Sequence, residues 1–211
     1  MGETAKKSSG EMTTFLLKRL MSITGMIPVG GFLIQHLFSN SYIFNSVEAW
    51  EAHSEFLTSL PVVVLIELAM IYFPIALHAT LGLTILYRGE NNFTNYSVFR
   101  NWMFFLQRVS GVLSILFIST HSYMTRIKSY IGGYEMTAAA MSHILSDPFW
   151  FWFYLIGVVM AVFHFSNGLW SFLITWGITS GRKAQRVSAA LTMGLFVFLA
   201  LWSISILLKF M

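Results

Sequence analysis

The sequence predicts an all-α integral membrane protein of five transmembrane helices. Three observations predict it. Of 211 residues, 56% are hydrophobic and only 10% charged, against about 25% charged in a soluble domain. Mean hydropathy is +0.67. The apolar residues also gather into five segments, each near the roughly 20 residues a helix needs to cross a bilayer. A transmembrane barrel would instead show alternating segments of roughly ten residues.

The elements follow in order. Residues 1–14 read "MGETAKKSSGEMTT", a short polar tail. Residues 15–211 form the membrane domain. The apolar run after the tail is long and lacks an A-x-A cleavage site, so it is expected to stay as the first span. That span covers about Leu20–Tyr42, and the second about Pro61–Leu86. The third covers about Trp102–Thr125, the fourth about Phe149–Trp176 and the fifth about Ala189–Leu208. Their Leu, Ile, Phe and Met, with scattered Gly and Ser, suit membrane helices. The spans use up the length, and no second, soluble domain is expected.

Charge gives the direction. Lys6, Lys7, Lys18 and Arg19 precede the first span; Arg88, Arg100 and Arg108 lie around the second connection, and Arg182, Lys183 and Arg186 in the fourth. These belong to one side. The other side holds only Arg126, Lys128 and Lys209, with Glu48, Glu51 and Glu55 in its first loop. The positive-inside rule then puts the N-terminus in the cytoplasm and the C-terminus outside a bacterial cytoplasmic membrane. The isoelectric point near 9.4 therefore reads as topology, and no nucleic-acid partner is expected. Cysteine is absent. That excludes iron–sulfur ligation, thiol catalysis, disulfides and haem attachment through C-x-x-C-H.

Each of the first four spans carries one histidine: His36, His78, His121 and His164. His53 and His143 fall in the outer loops and read as surface residues. A single buried histidine is usually a polar residue bonded to a neighbouring helix. Four on consecutive helices are harder to explain that way, because ionisable groups at membrane depth are costly and usually functional. Counting from the cytoplasmic ends, His36 lies about 24 Å in, His121 about 28 Å, His78 about 12 Å and His164 about 18 Å. The histidines so form an outer pair, His36 with His121, and an inner pair, His78 with His164. Two stacked bis-histidine haem sites within the first four helices would look like this.

The faces agree. Below His36 the face reads Phe32, Val29, Gly25, Ser22; below His121 it reads Phe117, Ser114, Ser110, Gln107. After His164 come Gly168, Ser171 and Thr175, and after His78 comes Gly82. Small and hydroxylated residues let a flat macrocycle enter, though they equally allow close helix packing. A zinc site is disfavoured, since no span carries two histidines. A di-iron carboxylate site would need several inward Glu residues, and only Glu67 is deep in a span.

Glu67 lies in "VVVLIELAMIYFP", 11 residues before His78 and toward the outer surface. Two readings stand. It takes part in protonating a quinone beside the outer haem, or it makes a structural hydrogen bond to a neighbouring helix or to Trp50. No continuous proton wire crosses the bilayer, because spans three and four carry no acid in their cores.

The segments "RLMSITGMIPVGGFLIQH", "FRNWMFFLQRVSG" and "FHFSNGLWSFLITWGIT" resemble the five-helix, di-haem cytochrome b (b-558 type) anchor of the succinate:menaquinone oxidoreductase and quinol:fumarate reductase family. The resemblance runs from about Phe15 to the end. It implies a three-subunit complex, in which a flavoprotein oxidises succinate at covalent FAD and an iron–sulfur protein passes electrons to this anchor. It implies two b haems on His36, His78, His121 and His164, with the pairing that depth gives, and menaquinone as substrate. An acid also occurs in the family where Glu67 stands. One departure is Met21, where relatives often carry His or Gln. Ser22, Gln107, Arg19 and Arg108 become candidate haem propionate or pocket residues, with positive-inside anchoring as the other reading of the two arginines. Around Arg88–Arg100 and Arg182–Arg186, the basic loops are expected to dock the iron–sulfur subunit.

The expected function is electron transfer from that subunit through the inner and then the outer haem to a quinone near Glu67, with no dicarboxylate chemistry on this chain. Reverse operation as a fumarate reductase anchor is the first alternative. A haem-free five-span proton-coupled transporter is the second; the two-layer grouping and the lack of paired broken helices argue against it. A hydrogenase or formate dehydrogenase haem anchor is the third, and "GLWSFLITWG" speaks against that.

Overall fold

A computed structural model describes residues 2–88 and 98–211, with side chains at 12–87 and 98–211. The side chains of Lys6, Lys7 and Arg88, and most of the loop between the second and third spans, lie outside the described residues. The described chain is helical. Five helices are long and apolar enough to cross a membrane: Met12–Phe44, Val63–Tyr87, Phe99–Gly132, Pro148–Thr175 and Arg182–Lys209.

Three of these spans are composite. Span one joins α1 (Gly2–Thr24) to α2 (Gly30–Asn40) through a π turn over Gly25–Val29. Pro28 lies inside that turn, and its missing N–H removes an α-helical bond, which the wider turn accommodates. A short 3₁₀ turn over Ser41–Phe44 ends the span, and α3 (Val47–Thr58) follows. Span two joins α4 (Val63–Glu67) to α5 (Phe73–Arg88) through a second π turn, Leu68–Tyr72. Pro74 comes just after it, so the cause is again a lost donor. In span three, α6 (Phe99–Ser122) passes through a third π turn, Tyr123–Ile127, into α7 (Lys128–Gly132). No proline accompanies that turn, and nothing local in the sequence explains it. Gly133 ends the helix at φ +64°, a left-handed conformation that glycine adopts without a Cβ penalty.

Spans one, three and five exceed their expected limits by several residues. The apolar pattern marks only the lipid-crossing part, whereas a helix continues through polar residues while its hydrogen bonds continue. Span three gains a stretch beyond Thr125, and that stretch carries Arg126 and Tyr130.

The connections after spans one and three are also structured. Ser46 caps α3 by accepting from Ala49 N at 3.1 Å. Thr137 caps α8 (Ala138–Leu145) in the same way from Ala140 N. Glu51 accepts from Ala138 N at 3.1 Å and ties the two helices together. Trp50, Met141 and Leu145 turn inward and join Ile43 and Phe210 in the buried core. Span four is α9 (Pro148–Thr175), opened by Asp147 as N-cap and Pro148 at its start, the arrangement a helix N-terminus favours. Span five is α10 (Arg182–Lys209).

Span one packs on two and four, and span three also packs on two and four. Spans one and three are thus diagonal across a four-helix bundle, as are two and four. Span five packs along span four and reaches span one, where Trp202 Nε1 donates to Ser41 Oγ at 2.7 Å.

Candidate functional site

The diagonals bring the histidines together in the pairs that depth predicts. The ring centres of His36 and His121 are 5.7 Å apart and nearly perpendicular at 76°. Those of His78 and His164 are 6.1 Å apart at 81°. Two imidazoles bound to opposite faces of one metal, through bonds of about 2 Å, hold their ring centres about 6 Å apart.

The inner pair is set by main chain. His78 Nδ1 lies 2.8 Å from Met21 O, and His164 Nδ1 lies 3.1 Å from Gln107 O. A carbonyl only accepts, so each Nδ1 carries the hydrogen and each Nε2 presents its lone pair. Gln107 Nε2 donates to His164 O at 3.0 Å, and Asn167 Nδ2 donates to Gln107 Oε1 at 2.7 Å and Met103 O at 3.0 Å. Gln107 therefore braces the inner histidine. Gly25 and Gly111 clear the rings. A Cβ on Gly25 would run into the His78 ring, and one on Gly111 would come 2.9 Å from His164 Cε1.

The outer pair is set by side chains. Tyr154, only 2% exposed, places its hydroxyl 3.4 Å from His121 Nδ1. Phe117 stacks on His121 at 5.5 Å, and Phe32 tilts over His36 at 5.4 Å. Asn40 Nδ2 donates to His36 O at 2.9 Å and lies 3.2 Å from His36 Nε2, while Asn40 Oδ1 accepts from Trp50 Nε1 at 3.1 Å.

The remaining expected residues divide. Arg19 lies between the Phe15 and Trp176 rings, 4.9 and 4.5 Å from their centres. Trp176 Nε1 donates to Ser22 Oγ at 3.2 Å. Arg19, Ser22 and Trp176 thus gather at one end of the bundle, on the side of the His78–His164 pair. Arg108 lies over the Phe104 ring at 4.3 Å. Gly168 approaches Gln107, and Gly82 lies near Met21.

A haem fits these residues by a second observation. Among the described residues, the buried polar side-chain atoms without a partner are Arg19 Nη1, Ser114 Oγ, Ser166 Oγ and Thr179 Oγ1. Unpaired buried groups are rare in folded proteins. Three of the four lie on spans one, three and four, and Arg19 offers a guanidinium donor to an acid-edged group at the inner end.

Glu67 pairs with span three and not with Trp50. Arg126 Nη2 and Nε reach Glu67 Oε1 at 2.8 and 2.9 Å. Tyr130 donates its hydroxyl to Oε2 at 2.7 Å, and Arg126 lies 4.5 Å over the Tyr130 ring. Removing both charges from water is costly, and the extra bond from Tyr130 offsets part of that cost. Glu67 is 16% and Arg126 22% exposed. His53 departs from its surface reading. Its ring stacks on Tyr42 at 4.0 Å, and its Nε2 lies 3.1 Å from the buried Ser39 Oγ. His143 is exposed, as expected.

Sequence reasoning missed several groups. Met21 acts through its carbonyl, which no side-chain comparison reveals. Arg126 and Tyr130 were hidden because span three was expected to end at Thr125. Gly111 and Tyr154 sit ten residues from a histidine on their own helices, Gly111 before His121 and Tyr154 before His164, about 80° round from it, so counting along the histidine's own face passed them over.

Residues 90–203 match the family described as succinate dehydrogenase/fumarate reductase transmembrane subunit. The chain is also similar to the succinate dehydrogenase cytochrome b558 subunit of Bacillus subtilis (strain 168). The two are 44% identical over 186 residues, covering 88% of this chain and 92% of that relative.

Proposed function

This chain belongs to the succinate dehydrogenase/fumarate reductase transmembrane-subunit family, and from that premise we propose that it is a di-haem anchor carrying electrons across the membrane to a quinone. It is the membrane-anchor cytochrome b subunit of succinate dehydrogenase. The finer reading assigns His78 and His164 to an inner b haem and His36 and His121 to an outer one. Bound haem supplies reversible one-electron transfer. The observation that carries the reading is the pairing of imidazoles across both diagonals at close to 6 Å.

The chain's own residues orient and screen. Met21 O and Gln107 O fix the inner tautomers so that Nε2 faces the pocket. Tyr154, Phe117 and Phe32 fix the outer rings, and α3 and α8 cover them with Trp50, Met141 and Leu145, which exclude water. Arg19 holds negative charge at the inner edge. At the outer face Arg126 pairs with Glu67 Oε1, while Tyr130 holds its hydroxyl proton against Glu67 Oε2. Tyr130 is 47% exposed, so that proton exchanges with the outer surface, and Glu67 delivers it to a menaquinone on the bilayer side.

The N-terminus lies in the cytoplasm. Arg182, Lys183 and Arg186 are exposed and, with Arg100, form the docking edge for the iron–sulfur subunit of a complex that also holds a flavoprotein. Gln185 stiffens that loop, accepting from Trp170 Nε1 at 3.1 Å and donating to Thr179 O at 3.2 Å.

The test is haem b per polypeptide on the purified chain, by pyridine haemochrome. Two per chain are expected, with His164→Ala losing the inner haem. A well-folded preparation without haem overturns the reading. Glu67→Gln should slow quinone turnover with both haems retained, and unchanged turnover removes its proton role.

A further inference from the structure

The seam between spans two and three carries a second polar level, inward of Glu67. Tyr72 closes the π turn that starts directly after Glu67, and its hydroxyl lies 3.0 Å from Ser122 Oγ. Ser122 ends α6 and directly follows His121. The two spans thus meet at two heights. Glu67, Arg126 and Tyr130 form the outer level, and Tyr72 with Ser122 forms the inner one. Leu68 and Met70, on the stretch of span two between the levels, are 50% and 56% exposed, so this part of the seam presents apolar surface to lipid.

The hydrogens at the inner level are unevenly used. Two hydroxyls hold two hydrogens, and their mutual bond spends one. The other is available to an acceptor. At the outer level Tyr130 spends its one hydrogen on Glu67 Oε2, so the donors come from the Arg126 guanidinium, whose charge Glu67 balances. A ligand that suits both levels is neutral, flat, soluble in lipid and an acceptor at both ends. Five residues separate Glu67 from Tyr72, about 7 Å or less along the axis. The two oxygens of a para-quinone lie about 5 Å apart, one ring diagonal plus two C=O bonds of about 1.2 Å each.

We propose that Tyr72 and Ser122 form the second pole of the quinone site, donating a hydrogen bond to one ring oxygen while the other faces Arg126. This deepens the Glu67 reading and rests on it. The ring lies along the seam, and Ser122 ties its inner oxygen to the segment that holds His121. Tyr72 and Ser122 are positioning residues: they hold the ring and carry no charge in its reduction.

The test uses the intact three-subunit complex, with succinate as donor and a short-tailed soluble naphthoquinone as acceptor. Tyr72→Phe removes one oxygen and should raise KM for the naphthoquinone about fivefold or more, the size of one lost hydrogen bond. Haem content and the haem spectrum should stay unchanged, separating lost positioning from lost structure. Ser122→Ala, on the facing helix, should give the same shift and serves if the first variant does not assemble. KM within twofold of the parent in the assembled variants overturns the proposal. Glu67→Gln is run in parallel. If it slows turnover while Tyr72→Phe leaves KM alone, the second pole fails and the Glu67 reading stands. If neither variant has an effect, both fail. If only Tyr72→Phe acts, the second pole stands and the proton role of Glu67 fails.

Discussion

The two histidine layers share a plan and differ in what holds them. In each, an amide side chain bonds the main-chain carbonyl of one histidine: Asn40 to His36 in the outer layer, and Gln107 to His164 in the inner. The inner rings are then fixed at Nδ1 by two carbonyls, Met21 O and Gln107 O, and are cleared by two glycines. The outer rings have aromatic neighbours and two side-chain contacts, Asn40 Nδ2 at 3.2 Å from His36 Nε2 and Tyr154 at 3.4 Å from His121 Nδ1. Gly157 in that layer clears Phe117 and not a histidine. At Nδ1 the inner rings therefore meet backbone carbonyls at 2.8 and 3.1 Å, which substitution hardly changes, with Ser110 Oγ farther off at 3.4 Å, whereas the outer rings meet only side chains, which substitution can tune. The tunable layer is the one beside the proposed quinone.

The largest expected effect breaks the inner layer. Gly25→Val puts a branched carbon where the His78 ring lies, and both partners sit on packed helices that cannot back away. Haem b should fall from two per chain to one, with the outer haem's spectrum kept. Gly31→Ala is the control, since a Cβ there meets nothing within 4 Å. Two haems retained in Gly25→Val would mean that the inner pocket is not limited by that glycine.

A moderate effect is expected in the outer layer. Tyr154→Phe removes the oxygen beside His121 Nδ1 and leaves the ring packing in place. An acceptor at Nδ1 makes an imidazole a stronger donor to a metal. Its loss should raise the outer haem's midpoint potential by about 20–60 mV, the electrochemical equivalent of a hydrogen bond worth about 0.5–1.5 kcal/mol. Redox titration would read this, with the inner haem unmoved. An unchanged outer potential would mean that the 3.4 Å contact carries no electronic weight, and the layers would differ less than their geometry suggests.

How much of this was legible follows from the same division. The four histidines, their pairing and the five spans could be read, because a membrane makes polarity and length conspicuous. Gln107 and Gly25 were visible as face positions, but a face did not say which histidine it serves. Gly25 was counted under His36 and lies against His78; Gln107 was counted on the His121 face, was also expected at the inner layer, and braces His164. Face counting follows one helix, whereas a diagonal bundle turns each face toward two neighbours. Arg126 stayed hidden for another reason. It was counted as a surface anchor at a span end, while the helix runs on to Gly132 and folds it against Glu67. Trp50 was weighed as a partner of Glu67 and instead serves Asn40.

The smallest effect tests the backbone claim most directly. In the sequence Met21 read as a departure from the resemblance, one that weakens a propionate-holding role for its side chain. In the structure it is the Met21 carbonyl oxygen that lies against His78 Nδ1, at 2.8 Å. Any residue that keeps the helix supplies that oxygen. Met21→Leu conserves volume and helix propensity, so haem content should stay at two per chain. The inner haem's midpoint potential should stay within about 10 mV, a shift worth well under 0.5 kcal/mol for one electron. A larger displacement would show that the thioether itself shapes the inner pocket, and the contrast between a backbone-held and a side-chain-held layer would then fail at its strongest point.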